Sequence, residues 1–246
     1  MANLQGMTIL VTGAGSGIGR EAARLFAQSG ASLILLGRRL EALRETLPGA
    51  RCVALDHGDA EAVAAFAADC PALHGMFLNA GQFESGTVQG SPVALFDRML
   101  SANLRGPWLL CHHLGPRLLD RSSVVLTGSN IGIRALPNAA AYGVAKAGLH
   151  MLAQVLAVEW AARGIRCNAI APGPILTEMV RARFEGAADP AAKAQKLGQV
   201  NPLGRLGLEI EVAQLAAHLL GPDSAWTTGA VIPIDGGATA AFWGQA

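Results

Sequence analysis

Seven short stretches of this chain are apolar almost from end to end: residues 7–13, 32–37, 51–55, 75–81, 123–129, 165–172 and 230–235. A strand with one face in water alternates apolar and polar residues. Most of these stretches do not, so both of their faces must be covered. Helical patterns fall between them, near 18–29, 39–46, 59–68, 92–119, 138–163 and 209–220. Strands and helices alternating in this way wind by right-handed βαβ units into a parallel sheet with helices on both sides. The expected fold is α/β, a doubly wound parallel sheet.

The 246 residues suit one domain with a substantial core. No repeat, low-complexity tract or linker interrupts the pattern, so 1–246 reads as a single domain. One irregular stretch, 173–206, is rich in Gly, Pro, Ala and charge and precedes the last βα unit. An insertion of that length is expected to form a lid over a site. The net charge of +1 provides no basic footprint for nucleic acid.

A hydrophobic fraction of 51% and a mean hydropathy of +0.35 are high for a protein in water. Yet no uninterrupted apolar run is long enough to span a bilayer, and "MANLQGMTIL" lacks a signal peptide's charged start and cleavage site. No membrane partner is expected, and the expected location is cytoplasmic. The four cysteines, Cys52, Cys70, Cys111 and Cys167, stand singly without metal-ligand spacing, as buried thiols in a reducing cytosol would. No metal is expected.

The excess apolar surface must then lie in the core or between subunits. Within 144–162 only Lys146, His150, Gln154 and Glu159 are strongly polar, and 107–119 is similarly apolar. A helix apolar nearly all round is buried on both sides. One side must cover the sheet and the other must meet something, either more core or a second subunit of a homodimer, and the apolar tail "AFWGQA" (241–246) would supply a second contact that makes a homotetramer.

The chemistry begins where the first strand runs into "TGAGSGIG", with Thr12, Gly13, Gly15, Gly17 and Gly19 opening a helix. Glycines at the first strand-to-helix crossing of a parallel sheet let the backbone approach a pyrophosphate, and the helix N-terminus adds N–H groups and a positive dipole end. The expected role is a dinucleotide site of the Rossmann fold, with a plain turn as the alternative, although Gly13, Gly17 and Gly19 do not keep the strict G-x-G-x-x-G spacing. At the end of the second strand Gly37 stands where an acid would hold an NAD ribose, followed by Arg38 and Arg39. Cations sit poorly in a helix's first turn, so this pair favours the 2′-phosphate of NADP(H). Ser16 before Gly17 is not a base, which leaves NAD(H) as the alternative. Asp56, closing the third strand, would either bond the adenine amino group or cap the next helix.

Tyr142, the chain's single tyrosine, stands four residues before Lys146 on a helix, so both point the same way. Ser129 ends the fifth strand, and all three lie at the carboxyl edge of the sheet, where open α/β folds bind ligands. With "NAG" at 79–81, Asn103, "PG" at 172–173 and "DGG" at 235–237, these motifs fall in an order and spacing that resembles the short-chain dehydrogenase/reductase family over the whole chain.

That resemblance implies hydride transfer between a nicotinamide and a secondary alcohol or ketone. It makes Tyr142 the acid/base, with Lys146 lowering its pKa, Ser129 orienting the substrate oxygen and Asn103 helping to hold a relay water. A free tyrosine, with a pKa of about 10, is a poor base near neutrality, so a cation one helical turn away has a purpose. The resemblance also implies cofactor contacts at Gly13, Ser16, Gly17, Ile18, Gly19, Arg38, Arg39, Asp56, Asn79, Ala80, Gly81, Tyr142, Lys146, Pro172, Gly173, Ile175 and Thr177. Leu78 replaces an asparagine the family often carries, but Asn79 is kept. A dinucleotide-sensing protein without turnover would lack Tyr142 or Lys146. A lyase or dehalogenase on the same scaffold would alter the glycine turn or Lys146. The substrate pocket is expected at Gln82, Phe83, 130–138 and Pro174 to Met179, mostly apolar and fit for a hydrophobic or medium-sized ketone. Arg134 is a candidate to hold a carboxylate, with a solvated loop arginine as the alternative.

Overall fold

The computed structural model describes residues 2–182, 184 and 189–241. Its elements run β1 (Thr8–Thr12), α1 (Gly17–Gln28), β2 (Ser32–Gly37), α2 (Leu40–Thr46), β3 (Arg51–Ala54), α3 (Ala60–Ala68), β4 (Leu73–Leu78), α4 (Val93–Leu100), α5 (Gly106–Leu114), β5 (Leu118–Thr127), α6 (Ala140–Glu159), β6 (Arg166–Pro172), α7 (Glu178–Ala182), α8 (Pro190–Gly198), α9 (Glu209–Leu220) and β7 (Val231–Ile234). The seven strands form one parallel sheet in the order β3-β2-β1-β4-β5-β6-β7. The strand order reverses between β1 and β4, and ligands bind at such a switch point.

Residue alternation explains why the strands read as continuously apolar. Leu10, Ile34, Met76 and Val124 face one cluster with Val63, Leu110, Leu114, Leu149 and Leu156 of α3, α5 and α6. Ile9, Val11, Leu33, Leu35 and Phe77 face the other, with Phe26, Val212 and Ala216 of α1 and α9. Neither face meets water, so neither needs polar residues. At the far end of the sheet buried Arg166 donates to the carbonyls of Leu219 and Gly221 at 2.8 and 2.9 Å and to Ser224 Oγ at 2.7 Å. Its cation thereby meets the negative end of α9.

The structure departs from the sequence expectation in three places. The span 92–119 is not one helix: a π turn at Ser101–Arg105 separates α4 from α5. Pro107 has no N–H to donate to the Asn103 carbonyl, and its ring crowds that oxygen, so the α ladder cannot run through. The same span also ends early. Gly115 and Pro116 stop the helix, and β5 starts at Leu118, paired with Leu73, before a register shift and a left-handed Arg121 (φ 66°). Finally, 173–206 is not wholly irregular, because it contains α7 and α8. Asp189 caps α8 by accepting from Ala192 N at 2.9 Å, and Pro190 occupies its first turn.

By length and composition alone α6 would pass for a membrane-crossing helix. In this fold it is a core helix: Ala141, Ala145, Leu149, Ala153, Leu156 and Ala157 are buried, together with Lys146 and His150. Its other side, with Val144, Met151, Val155 and Val158, is exposed on the single chain. The tail expected to extend the assembly lies, apart from Ala241, outside the described residues.

Candidate active site

The turn after β1 is shaped by close approach. Gly13 has φ +66°, and a Cβ there would stand 2.9 Å from Ala80 Cα. A Cβ on Gly19 would run into the Gly13 carbonyl oxygen, so only glycine lets α1 pack this tightly behind the turn. Thr12 Oγ1 accepts from the main-chain N–H groups of Asn79 and Ala80, both at 2.9 Å, and ties the β1 turn to the β4 turn. Ser16 precedes α1 without a side-chain capping bond, and the first turn of α1 holds no acid. Glycine approach, unspent N–H groups and a positive helix end together suit a pyrophosphate.

Arg38 and Arg39 are exposed on the rim beyond β2. A Cβ on Gly37 would lie 3.3 Å from Leu43 Cδ2, a tight contact that a small shift of that methyl would relieve. The two readings of Asp56 separate here. Asp59, not Asp56, caps α3, accepting from Glu61 N at 3.0 Å and Ala62 N at 3.1 Å. Asp56 Oδ1 accepts from Gly58 N at 2.9 Å, and the residue lines the cleft.

At the other end of the cleft α6 presents Tyr142 and Lys146. Lys146, 3% exposed, holds Nζ 5.6 Å from the centre of the Tyr142 ring and donates to the Thr127 carbonyl at 2.7 Å. Thr127 Oγ1 donates in turn to Asn79 Oδ1 at 3.2 Å, joining the lysine to the β4 turn. The Tyr142 ring meets Phe83 edge-on, centroids 5.0 Å apart. Ser129 Oγ accepts from Ile131 N at 3.2 Å, leaving its hydroxyl hydrogen for another acceptor. Asn103, fully buried in the π turn, spends its side chain on main-chain groups: Nδ2 donates to Gln82 O at 2.9 Å and Met99 O at 3.0 Å, while Oδ1 accepts from Gln82 N at 3.2 Å. That side chain positions the strand-end loop.

The family model described as enoyl-(acyl carrier protein) reductase matches residues 13–239. Levodione reductase of Leifsonia aquatica is 36% identical over 95% of this chain and 94% of its own. Galactitol 2-dehydrogenase (L-tagatose-forming) of Cereibacter sphaeroides is 35% identical over 96% of each. The ligand-free aldohexose dehydrogenase structure of Thermoplasma acidophilum superposes with a TM-score of 0.90 at 25% identity, over 99% of this chain and 98% of that one. The chain belongs to the short-chain dehydrogenase/reductase family.

In this short-chain dehydrogenase/reductase one cleft of about 2000 Å³ gathers the residues anticipated from sequence. Gly13, Ser16, Gly17, Ile18, Arg38, Arg39, Asp56, Asn79, Ala80, Gly81, Asn103, Ser129, Tyr142, Lys146, Pro172, Gly173, Ile175 and Thr177 all line it. Gly19 does not; it is buried behind the turn, where it serves packing, and of the expected pocket stretch 130–138 Gly132, Ile133, Pro137 and Asn138 do not line the cleft either. Phe83, Ile131, Leu136, Met179 and Val200 add apolar wall to the cleft, and Gln82 adds a polar group. Arg134 also lines the cleft, and its Nη1 donates to the Ala241 carbonyl at 2.6 Å, so part of its donor fork already joins the two walls.

Burial brings the Lys146 pKa down from 10.5 to about 7. His150, one turn further along α6, is brought down to about 4 by burial first and by the Lys146 cation second. Sequence reasoning did not single out His150, although its spacing continues the Tyr142–Lys146 stripe. Asp235 was noted only as part of a motif; its carboxylate accepts from Gly237 N at 3.0 Å and Thr239 N at 2.8 Å and shapes the wall at 238–241. Arg20 was also missed. It donates to Gly15 O at 2.5 Å and pairs with Glu178 at 2.6 Å, which ties α7 to the glycine turn.

Proposed function

We propose that this protein transfers a hydride between NADP(H) and a secondary alcohol or ketone, with Tyr142 as general acid/base. The observation that carries the reading is the buried Lys146 amine beside the Tyr142 ring, in the same cleft as a glycine turn that a Cβ would fill. When bound, the nicotinamide accepts or supplies the hydride. Gly13, Ser16, Gly17 and Ile18 would hold the pyrophosphate at the α1 N-terminus, with Asp56 toward the adenine. Asn79, Ala80, Gly81, Pro172, Gly173, Ile175 and Thr177 would line the nicotinamide half.

The chain's own residues handle the proton. In the oxidation direction the alcohol O–H gives its proton to the Tyr142 phenolate, which the Lys146 ammonium favours over the phenol. Ser129 donates to the substrate oxygen and holds it against Tyr142. In the reduction direction the Tyr142 phenol returns the proton to the carbonyl oxygen. Asn103 keeps the Gln82 loop in place beside the relay.

Arg38, with help from Arg39, supports NADP(H), since both are exposed on the cleft and Gly37 stands where NAD enzymes place an acid. NAD(H) is the second reading, because Ser16 supplies no second cation. The apolar wall favours a hydrophobic or medium-sized ketone. The stretch 173–206 acts as the lid, and the exposed apolar sides of α5 and α6 meet a second subunit in a homodimer or homotetramer. A cytoplasmic enzyme is consistent with four free thiols. Assay of a panel of secondary alcohols and ketones with NADP(H) and NAD(H) tests the reading; no nicotinamide-linked turnover with any member would reject it.

A further inference from the structure

The imidazole of His150 is 6% exposed and lies among the main chain that carries Ser129. Its Nε2 accepts from the Ser129 N–H at 3.4 Å, and the Gly132 main chain lies against the ring. Because Nε2 accepts, Nδ1 carries the proton of the neutral ring. Two glycines make room for the ring. A Cβ on Gly128 would collide with Nε2, and one on Gly132 would stand 2.8 Å from Cε1. Between those contacts runs the single 3-10 turn Asn130–Gly132, with Ser129 as its cap and Gly132 N donating to Ser129 O at 3.0 Å.

We infer that His150 is a positioning residue: one neutral imidazole, bonded to the Ser129 N–H and seated against Gly128 and Gly132, holds the 129–132 turn and so aims the Ser129 hydroxyl at the substrate oxygen. This rests on the hydride-transfer reading above. Tyr142, Lys146 and His150 occupy successive turns of one helix, so α6 orients the third polar group of the site by way of its backbone. A protonated ring would present N–H to the Ser129 N–H and break the arrangement. Burial and the neighbouring Lys146 both oppose that protonation.

The test compares full-length His150→Leu, which keeps bulk but loses the bond to the Ser129 N–H, with His150→Gln, which keeps an acceptor. With the secondary alcohol of highest kcat/KM in the panel, His150→Leu should lower kcat by roughly 10- to 100-fold while the Kd of NADP+ stays within about twofold. His150→Gln should recover most of the loss, and Ser129→Ala should lose at least as much as His150→Leu. A His150→Leu enzyme with normal kcat, beside an impaired Ser129→Ala, overturns the inference and leaves the hydride-transfer reading intact. A loss that Gln does not rescue overturns it too. Long-range proton–nitrogen NMR of 15N-histidine protein needs no substrate and separates the two failures. The signal lost in His150→Leu should report a neutral ring protonated on Nδ1 from pH 8 to 5. A ring protonated on Nε2, or one that titrates in that range, overturns the inference whatever the assay shows.

Discussion

Lys146 Nζ stands 5.6 Å from the Tyr142 ring centre, and its hydrogen bond to the Thr127 carbonyl keeps it there, one turn along α6 and out of water. An ammonium buried with no carboxylate partner among the described residues costs the fold stability, and such costs concentrate where a charge is needed. Lys146→Met should therefore lower turnover by at least ~10² without lowering Tm at neutral pH. Burial holds the folded-state pKa near 7 against 10.5 in the unfolded chain, so between those values the unfolded chain binds the extra proton. Stability of the wild type should accordingly rise with pH across that window, and the rise should vanish in Lys146→Met. Melting curves from pH 6.5 to 10 check both statements.

Arg38 is the predicted arbiter of cofactor choice. Arg38→Asp removes the phosphate partner and supplies an acid for the ribose, so the NADP/NAD ratio of kcat/KM should invert, with kcat on the better cofactor changing little. A wild type that prefers NAD would reject the assignment.

Much of this was legible in the sequence because the inner strands are covered twice. Ile9 and Val11 pack on one side of β1 and Leu10 on the other, so apolar runs mark the sheet. The break at Pro107 was not legible, since apolar residues continue through the π turn and periodicity alone does not register it. The cap of α3 was ambiguous because Asp56 and Asp59 lie three apart, and only geometry distinguishes them. Within the site the hidden partners are main-chain groups, the Thr127 carbonyl and the Ser129 amide, which no residue letter announces.

The exposed side of α6, with Val158 79% and Met151 57% exposed, predicts self-association together with Trp108 of α5. Light scattering at micromolar concentration should give a dimer or tetramer, and Val158→Lys with Met151→Lys should shift it toward monomer. A wild-type monomer would contradict the proposed assembly.

His150 should set the acid limb of stability. Its pKa is about 4 in the fold against 6.5 unfolded, so the unfolded chain binds more protons between those values and stability is lost as pH falls through them. The loss is on the order of 2–3 kcal/mol, and His150→Gln should flatten that limb of a Tm-against-pH plot. An unchanged slope would show that the ring does not stay neutral in the fold.

The most direct test is Tyr142→Phe, which keeps the ring against Phe83 and deletes only the hydroxyl. The Kd of NADP+ and the Tm should stay close to wild type while kcat falls by roughly 10²–10⁴, the range for a lost general acid–base group. A Phe variant that turns over its alcohol at near wild-type kcat would contradict the account.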